Sequence, residues 1–359
     1  MLAGLTHLAT ARRVISPKPA AFAALLFFSG INACGGADES PSSGDGAKNG
    51  ESTSTPAPGT SSGVPSGTDP AGPGKTDPSP SPSQTTGCSG TGGLGKGNSD
   101  VTITSGGRQR TARVHVPSSY DVKKPTPLVL DFHGRTSNAS QQEMISKATP
   151  KADAAGFIVV YPEGVGQTWN GGLCCGEAQS NNIDDVGFTR DLLDELGKKL
   201  CVDPKRVFAM GLSNGAYMSH RLACELSDRI AAIGPVAGGI LVSSCKPTRA
   251  VPVMHFHGDA DPIVSYEGSY GMPGAKESTK SWADRNGCTG AATQTYSNGD
   301  TTCMTYSGCK DNADTTLCTI SGGGHTWPGG FAIPGLGKTS KDIDATSKLW
   351  DFFVAHPMP

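Results

Sequence analysis

Charge is scarce in this chain: 17% of its 359 residues are charged, and 30 basic against 32 acidic side chains leave a net charge of -2. So neutral a chain has no basic face, and nucleic acid is not expected as a partner. Long apolar runs are missing too. The run Ala20 to Phe28 falls well short of the ~20 residues that a bilayer span demands. Cysteines occur without paired C-x-x-C spacing and without a matching histidine pair, so no zinc or other metal site is assigned. No internal repeat of fixed period is present, which excludes a solenoid.

What is present falls into three stretches. Residues 1–34 read as an export signal, with Arg12, Arg13 and Lys18 beside the apolar run. Its end, Ile31-Asn32-Ala33-Cys34-Gly35, resembles the lipobox of bacterial lipoproteins, so lipidation at Cys34 is expected to tether the mature chain to a membrane surface. Asn32 is unusual in such a box, and cleavage with free secretion is the alternative. Residues 35–87 are almost entirely Gly, Ser, Pro, Thr, Asp and Ala, with Val64 as the one large aliphatic side chain. Such a segment cannot bury enough apolar surface to offset its ordering entropy, and it is expected to be a disordered linker reaching roughly 40 Å.

Residues 88–359 have the length of one large catalytic domain. Of 11 cysteines, setting Cys34 aside leaves an even number after an export signal, which predicts as many as five disulfides. Their connectivity is open from the sequence, although Cys303 with Cys309 and Cys288 with Cys318 would close short loops. Arg110 to Val116 alternates as an edge-side antiparallel strand does. Leu128 to Phe132, Phe157 to Tyr161, Val207 to Met210, Ile230 to Val236 and Val251 to Phe256 are continuous apolar runs, which suits strands buried on both faces. Helical patterns lie between them. Asp184 or Asp185 can cap one that carries Phe188, Leu192, Leu196 and Leu200. Alternating strands and helices predict an α/β fold: a mainly parallel central sheet flanked by helices and stabilised by disulfides.

The chemistry centres on Gly211-Leu212-Ser213-Asn214-Gly215. With 49 glycines in the chain, about one chance match to G-x-S-x-G is expected; indeed Gly59-Thr60-Ser61-Ser62-Gly63 is a decoy in the linker. Position separates the two, because Ser213 follows a buried strand and opens a helix, as a nucleophile elbow requires. A serine needs a base and a group to orient that base. His325, in the glycine-rich loop Gly322 to Gly330, is the expected base. Asp261, after the strand Val251 to Phe256, is preferred over Asp259 as the orienting acid. The chain order Ser213, Asp261, His325 is that of α/β-hydrolases. The amides of Asn214 and Arg135 are the expected oxyanion donors, with Thr136 behind Arg135. His133 is expected to brace its loop. Trp169 and Trp327 can form an aromatic wall for a substrate ring, against the plainer reading of packing residues.

His133-Gly134, Tyr161-Pro162-Glu163-Gly164, Trp169-Asn170-Gly171-Gly172, Cys174-Cys175-Gly176, Asp184-Asp185-Val186-Gly187-Phe188, the Ser213 elbow, His257-Gly258-x-x-Asp261 and Gly324-His325-Thr326-Trp327-Pro328-Gly329 together resemble the secreted polyhydroxybutyrate depolymerase and feruloyl esterase family. The resemblance covers essentially the whole globular part. It implies an α/β-hydrolase fold, no cofactor, and ester hydrolysis through an acyl-serine. Feruloyl or acetyl esters of plant cell-wall xylan are the leading expectation and a polyester the alternative, since no separate polymer-binding domain follows. A non-catalytic surface binding protein is the rival from another class. A monomer is expected, exported to the extracellular space or outer cell surface.

Overall fold

A computed structural model describes Cys88, 93–269 and 271–359. The proposed export signal, the linker and Cys34 lie outside the described residues. In chain order the strands are β1 (Gly97–Ser105), β2 (Arg108–Val116), β3 (Thr126–Phe132), β4 (Ile158–Pro162), β5 (Val202–Leu212), β6 (Ala232–Val236), β7 (Val253–Gly258), a small hairpin of β8 (Gly268–Ser269) and β9 (Met272–Pro273), then β10 (Thr293–Asn298), β11 (Thr301–Tyr306) and β12 (Thr315–Ile320). The helices are α1 (Ala139–Ser146), α2 (Ala148–Ala155), α3 (Gly176–Ser180), α4 (Asp185–Lys199), α5 (Asn214–Glu225), α6 (Ala275–Arg285) and α7 (Ala345–Ala355).

Ten strands form one sheet in the order β1-β2-β4-β3-β5-β6-β7-β12-β11-β10. From β4 to β12 the neighbours run parallel, and antiparallel strands extend both ends. This is the α/β-hydrolase architecture. Alternation along the central strands builds two cores. Leu128, Leu130 and Phe132 of β3 and Val207 and Ala209 of β5 pack with Leu192 and Leu196 of α4 and Met218 and Leu222 of α5. Val129, Phe208, Met210 and Leu212 face the other way, toward Ile145, Leu349 and Phe353 of α1 and α7. A strand buried on both faces favours apolar residues at nearly every position, which is why these runs are almost continuous, with Asp131 the buried polar exception in β3.

The sequence reading departs from this arrangement in two places. The alternating strand β2 lies one position in from the edge, because the polar strand β1 pairs with it along its full length. The cysteine pairing also differs from the expected short loops. Cys288 joins Cys309 and Cys303 joins Cys318, alongside Cys88–Cys201, Cys174–Cys175 and Cys224–Cys245. The cause is strand register: Cys303 on β11 stands directly opposite Cys318 on antiparallel β12. That register brings residues distant in sequence to bonding range and leaves Cys309 to the turn after α6.

Candidate active site

Among the described residues, the expected triad and oxyanion residues and both tryptophans follow the carboxyl ends of parallel strands, where open α/β sheets form their sites. Ser213 follows β5 directly and holds φ 57° and ψ -115°, a conformation costing roughly 1–3 kcal/mol in a residue other than glycine. Its neighbours permit the turn. A methyl group on Gly211 or Gly215 would run into the Phe132 carbonyl. The Ser213 amide donates to the Val236 carbonyl at 2.8 Å, and the Ser213 carbonyl accepts from Ala216 at 2.9 Å to start α5. The Ser213 hydroxyl does not cap that helix, so the backbone strain serves the placement of the side chain rather than the helix start. Asn214 and Gly215 supply leading amides of α5, which have no partner within the helix.

Asp261 and His325 are joined. His325 Nδ1 lies 2.7 Å from Asp261 Oδ2, while Asp261 Oδ1 accepts the amides of Ile263 and Val264 at 2.8 and 2.9 Å. Burial opposes ionisation of Asp261, but the hydrogen bonds from His257 and His325 outweigh it and hold the carboxyl well below the usual range. The histidine loop is pinned. Asp259 Oδ1 accepts the Gly322 amide at 2.6 Å, the Ala260 amide donates to Gly323, and the amides of Gly324 and His325 donate to the carbonyls of Lys338 and Leu336 at 2.9 and 2.7 Å. Asp259, the less preferred of the two candidate acids, therefore fastens the His325 loop to the Asp261 loop.

The loop after β3 lies against the serine. A Cβ on Gly134 would sit 3.6 Å from Ser213 Cβ, so the chain passes close by there. Arg135 follows at an exposed position. Of the two amides considered after Gly134, that of Thr136 donates to the Gln167 carbonyl at 3.0 Å. His133 braces this loop as expected. Its Nδ1 meets the Gly134 carbonyl at 2.8 Å and its Nε2 accepts the Gly164 amide at 3.0 Å. Only a neutral ring can do both, and burial pushes its pKa down to about 4.

Among the described residues no cluster of three or more His, Cys, Asp or Glu is arranged to hold a metal ion. A family model described as "Esterase PHB depolymerase" matches residues 113–273. Feruloyl esterase B of Piromyces equi is 39% identical over 234 residues, which are 60% of this chain and 42% of that protein. The protein described as "Putative esterase NocK" of Nocardia uniformis subsp. tsuyamanensis is 30% identical over 275 residues, covering 69% of this chain and 80% of its own. The chain belongs to this polyhydroxybutyrate depolymerase and feruloyl esterase family. An acetyl xylan esterase from Aspergillus awamori superimposes with a TM-score of 0.53 at 17% identity, over 71% of this chain and 99% of that one, which shows the shared fold.

Within this family frame, the two tryptophans do not form an aromatic wall. Trp169 and Trp327 are both 0% exposed. Trp327 donates to Thr346 Oγ1 at 3.0 Å in the α7 core. Trp169 donates to the His133 carbonyl at 3.0 Å, and the Asn214 side chain clamps its backbone, accepting from its amide at 2.6 Å and donating to its carbonyl at 2.9 Å. Both indoles are packing elements whose N–H groups are already committed.

Of the two candidate helix caps only one caps, and one histidine of a quoted motif has a place that the sequence did not assign. Asp184 caps α4 as expected, accepting from Gly187 at 2.7 Å. Asp185 does something else: it is fully buried, pairs with Arg110 at 2.7 Å and accepts the Asn170 amide at 2.8 Å. Arg110 stacks over the Phe188 ring at 3.8 Å. The separate sequence motifs are thus one network, running from Arg110 through Asp185, Asn170, Trp169 and Asn214 to the serine elbow. His257 is a second missed residue, 3.4 Å from Asp261 Oδ2.

Proposed function

We propose that the protein is a serine carboxylic ester hydrolase with Ser213 as nucleophile, His325 as general base and Asp261 as its orienting acid. The observation that carries this reading is the strained Ser213 turn at the tip of β5, on the same end of the sheet as the hydrogen-bonded Asp261–His325 pair. With Nδ1 committed to Asp261, His325 has Nε2 for the serine proton. The hydroxyl oxygen attacks the ester carbon, and His325 then passes the proton to the departing alcohol. Water, deprotonated by the same ring, releases the acyl group. The amides of Asn214 and Arg135 donate to the oxyanion, a pattern in which loss of one donor costs about 10²–10³ in kcat.

Esters of plant cell-wall polysaccharide are the proposed substrates, with a feruloyl or acetyl acyl group, as the names of feruloyl esterase B and the acetyl xylan esterase suggest. The description of the matching family model favours a second reading, a polyester of hydroxybutyrate. Hydrolysis assays with methyl ferulate, acetylated xylan and hydroxybutyrate oligomers separate them. Folded Ser213→Ala is expected to lose p-nitrophenyl ester hydrolysis and fluorophosphonate labelling; turnover at the original rate would remove Ser213 from the mechanism and favour a binding protein. Five disulfides support an oxidising compartment outside the cytoplasm. For the mature protein, export with a lipid on Cys34 is the proposal, and intact mass spectrometry without a lipid-modified Cys34 would replace it with free secretion.

A further inference from the structure

A row of buried histidines continues behind Asp261. His255 and His257 are two apart on β7 and project to one face, and His220 approaches from α5. All three are at most 2% exposed. His257 Nε2 lies 2.9 Å from the Val264 carbonyl and 3.4 Å from Asp261 Oδ2. A carbonyl only accepts, so Nε2 carries the hydrogen. That N–H therefore lies beside the same oxygen that binds His325.

The other side of the ring is held equally closely. His257 Nδ1 faces His255 Nε2 at 3.2 Å. His255 packs edge-on against His220 at 5.9 Å between centroids, and His220 Nδ1 accepts the Trp282 indole N–H at 2.9 Å. Burial pushes the pKa of His255 well down and that of His220 to about 3. Tyr266 closes the site edge-on against His257, its hydroxyl 2.6 Å from Thr319 Oγ1. The titratable groups around His257 are therefore Asp261, His255 and Tyr266, with His325 beyond the carboxylate and His220 beyond His255.

We propose that His257 is a positioning residue for ester hydrolysis: its Nε2–H supports Asp261 Oδ2, so that the carboxylate keeps one rotamer and one charge state toward His325. The proposal rests on the esterase reading of Ser213, Asp261 and His325. A carboxylate offers about four acceptor positions. Here Oδ1 takes two amides, and Oδ2 meets two imidazoles. Removing His257 would concentrate the negative charge on the His325 contact and loosen the carboxylate. The imidazole would then stay protonated to higher pH and be less well aimed.

The test combines kinetics with a measurement on the unaltered protein. In folded His257→Leu, kcat for p-nitrophenyl acetate should fall about tenfold with KM within about twofold, and the acid limb of kcat/KM should move up by about half a pH unit or more. His257→Gln, which can place an amide N–H near Nε2, should move the limb back toward the original. A purely structural role would lower the stability of both variants and leave the limb where it was. Imidazole 15N NMR of the full protein should find the His257 hydrogen on Nε2. A hydrogen on Nδ1 alone, an unshifted limb in folded His257→Leu, or equal displacement in both variants would overturn the proposal. The NMR result needs no turnover and no substitution, so it stands apart from the Ser213→Ala result that tests the esterase reading.

Discussion

Replacing Asp131 with asparagine should stabilise this protein, and increasingly so as pH rises. Asp131 sits on β3, fully buried, and burial pushes its pKa up to about 8 against the opposing pull of Ser146 and Gln142. Gln142 Nε2 donates to Asp131 Oδ1 at 2.8 Å, while Asp131 Oδ2 and Gln142 Oε1 are buried without partners. A proton on Oδ2 supplies the donor that both oxygens lack. The folded state thus keeps this proton at pH values where the unfolded chain has lost it. Stability from this group therefore falls as pH climbs from about 4 to about 8 and is level beyond. A tenfold difference in proton affinity between the folded and unfolded chain is worth about 1.4 kcal/mol, so the linkage is about 4 kcal/mol at pH 7. Asparagine presents the same two-sided pairing to Gln142 with no proton to lose. Guanidinium unfolding of both proteins at pH 5, 7 and 9, disulfides intact, reads the difference. Asp131→Asn should exceed the original by at least about 1 kcal/mol at pH 9, with a smaller gap at pH 5. A gap independent of pH, or a variant less stable at pH 9, would refute the protonated pair.

Asp261→Asn should leave the fold intact and lower kcat by about 10³–10⁴, because the amide cannot hold His325 in the required tautomer; steady-state kinetics with fluorophosphonate labelling in parallel checks it. Asn214→Ala leaves the buried Trp169 amide without its acceptor, while the Trp169 carbonyl keeps the Gly171 amide as a donor; chemical unfolding should report a loss of roughly 1–3 kcal/mol. Arg110→Met leaves Asp185 buried without its cation, with an expected cost of about 3–5 kcal/mol by the same measurement.

Fold class, the central strands and the pairing of the Asp261 and His325 loops are legible in the sequence because each rests on a local signal. Continuous apolar runs mark strands buried on two faces, and the Ser213 motif carries its own strand and helix context. The antiparallel extension is less legible. Thr301–Tyr306 and Thr315–Ile320 are threonine-rich and short, and their strand character comes from pairing with each other and with β7. Missing that register is what sent Cys303 to the wrong partner. The tryptophans mislead for a related reason. Glycines beside Trp169 and Trp327 suggest an open loop, yet those glycines let neighbouring backbone close over the rings. A Cβ on Gly330 would meet Trp327, and one on Gly171 would meet Tyr217 and the Cys174 carbonyl.

Asp185 and His257 show a further limit, and also a signal that was available. Each lies close in sequence to a residue already singled out: Asp185 follows the helix cap Asp184, and His257 stands near the end of β7, four residues before Asp261. A charged group one residue past a cap lies on the first turn of the helix, where the apolar stripe of Phe188 and Leu192 already turns inward, so Asp185 has to find a cation indoors. Arg110 answers it from β2. Likewise two histidines at alternate positions of a strand buried on both faces occupy one side of the sheet, and buried imidazoles need partners. One partner of His257 is its neighbour His255; its other ring nitrogen lies beside the Val264 carbonyl and the carboxylate of Asp261. Polar residues spaced for the core therefore point to the interior network that holds the Ser213 and Asp261 loops, even where pairing partners lie far along the chain.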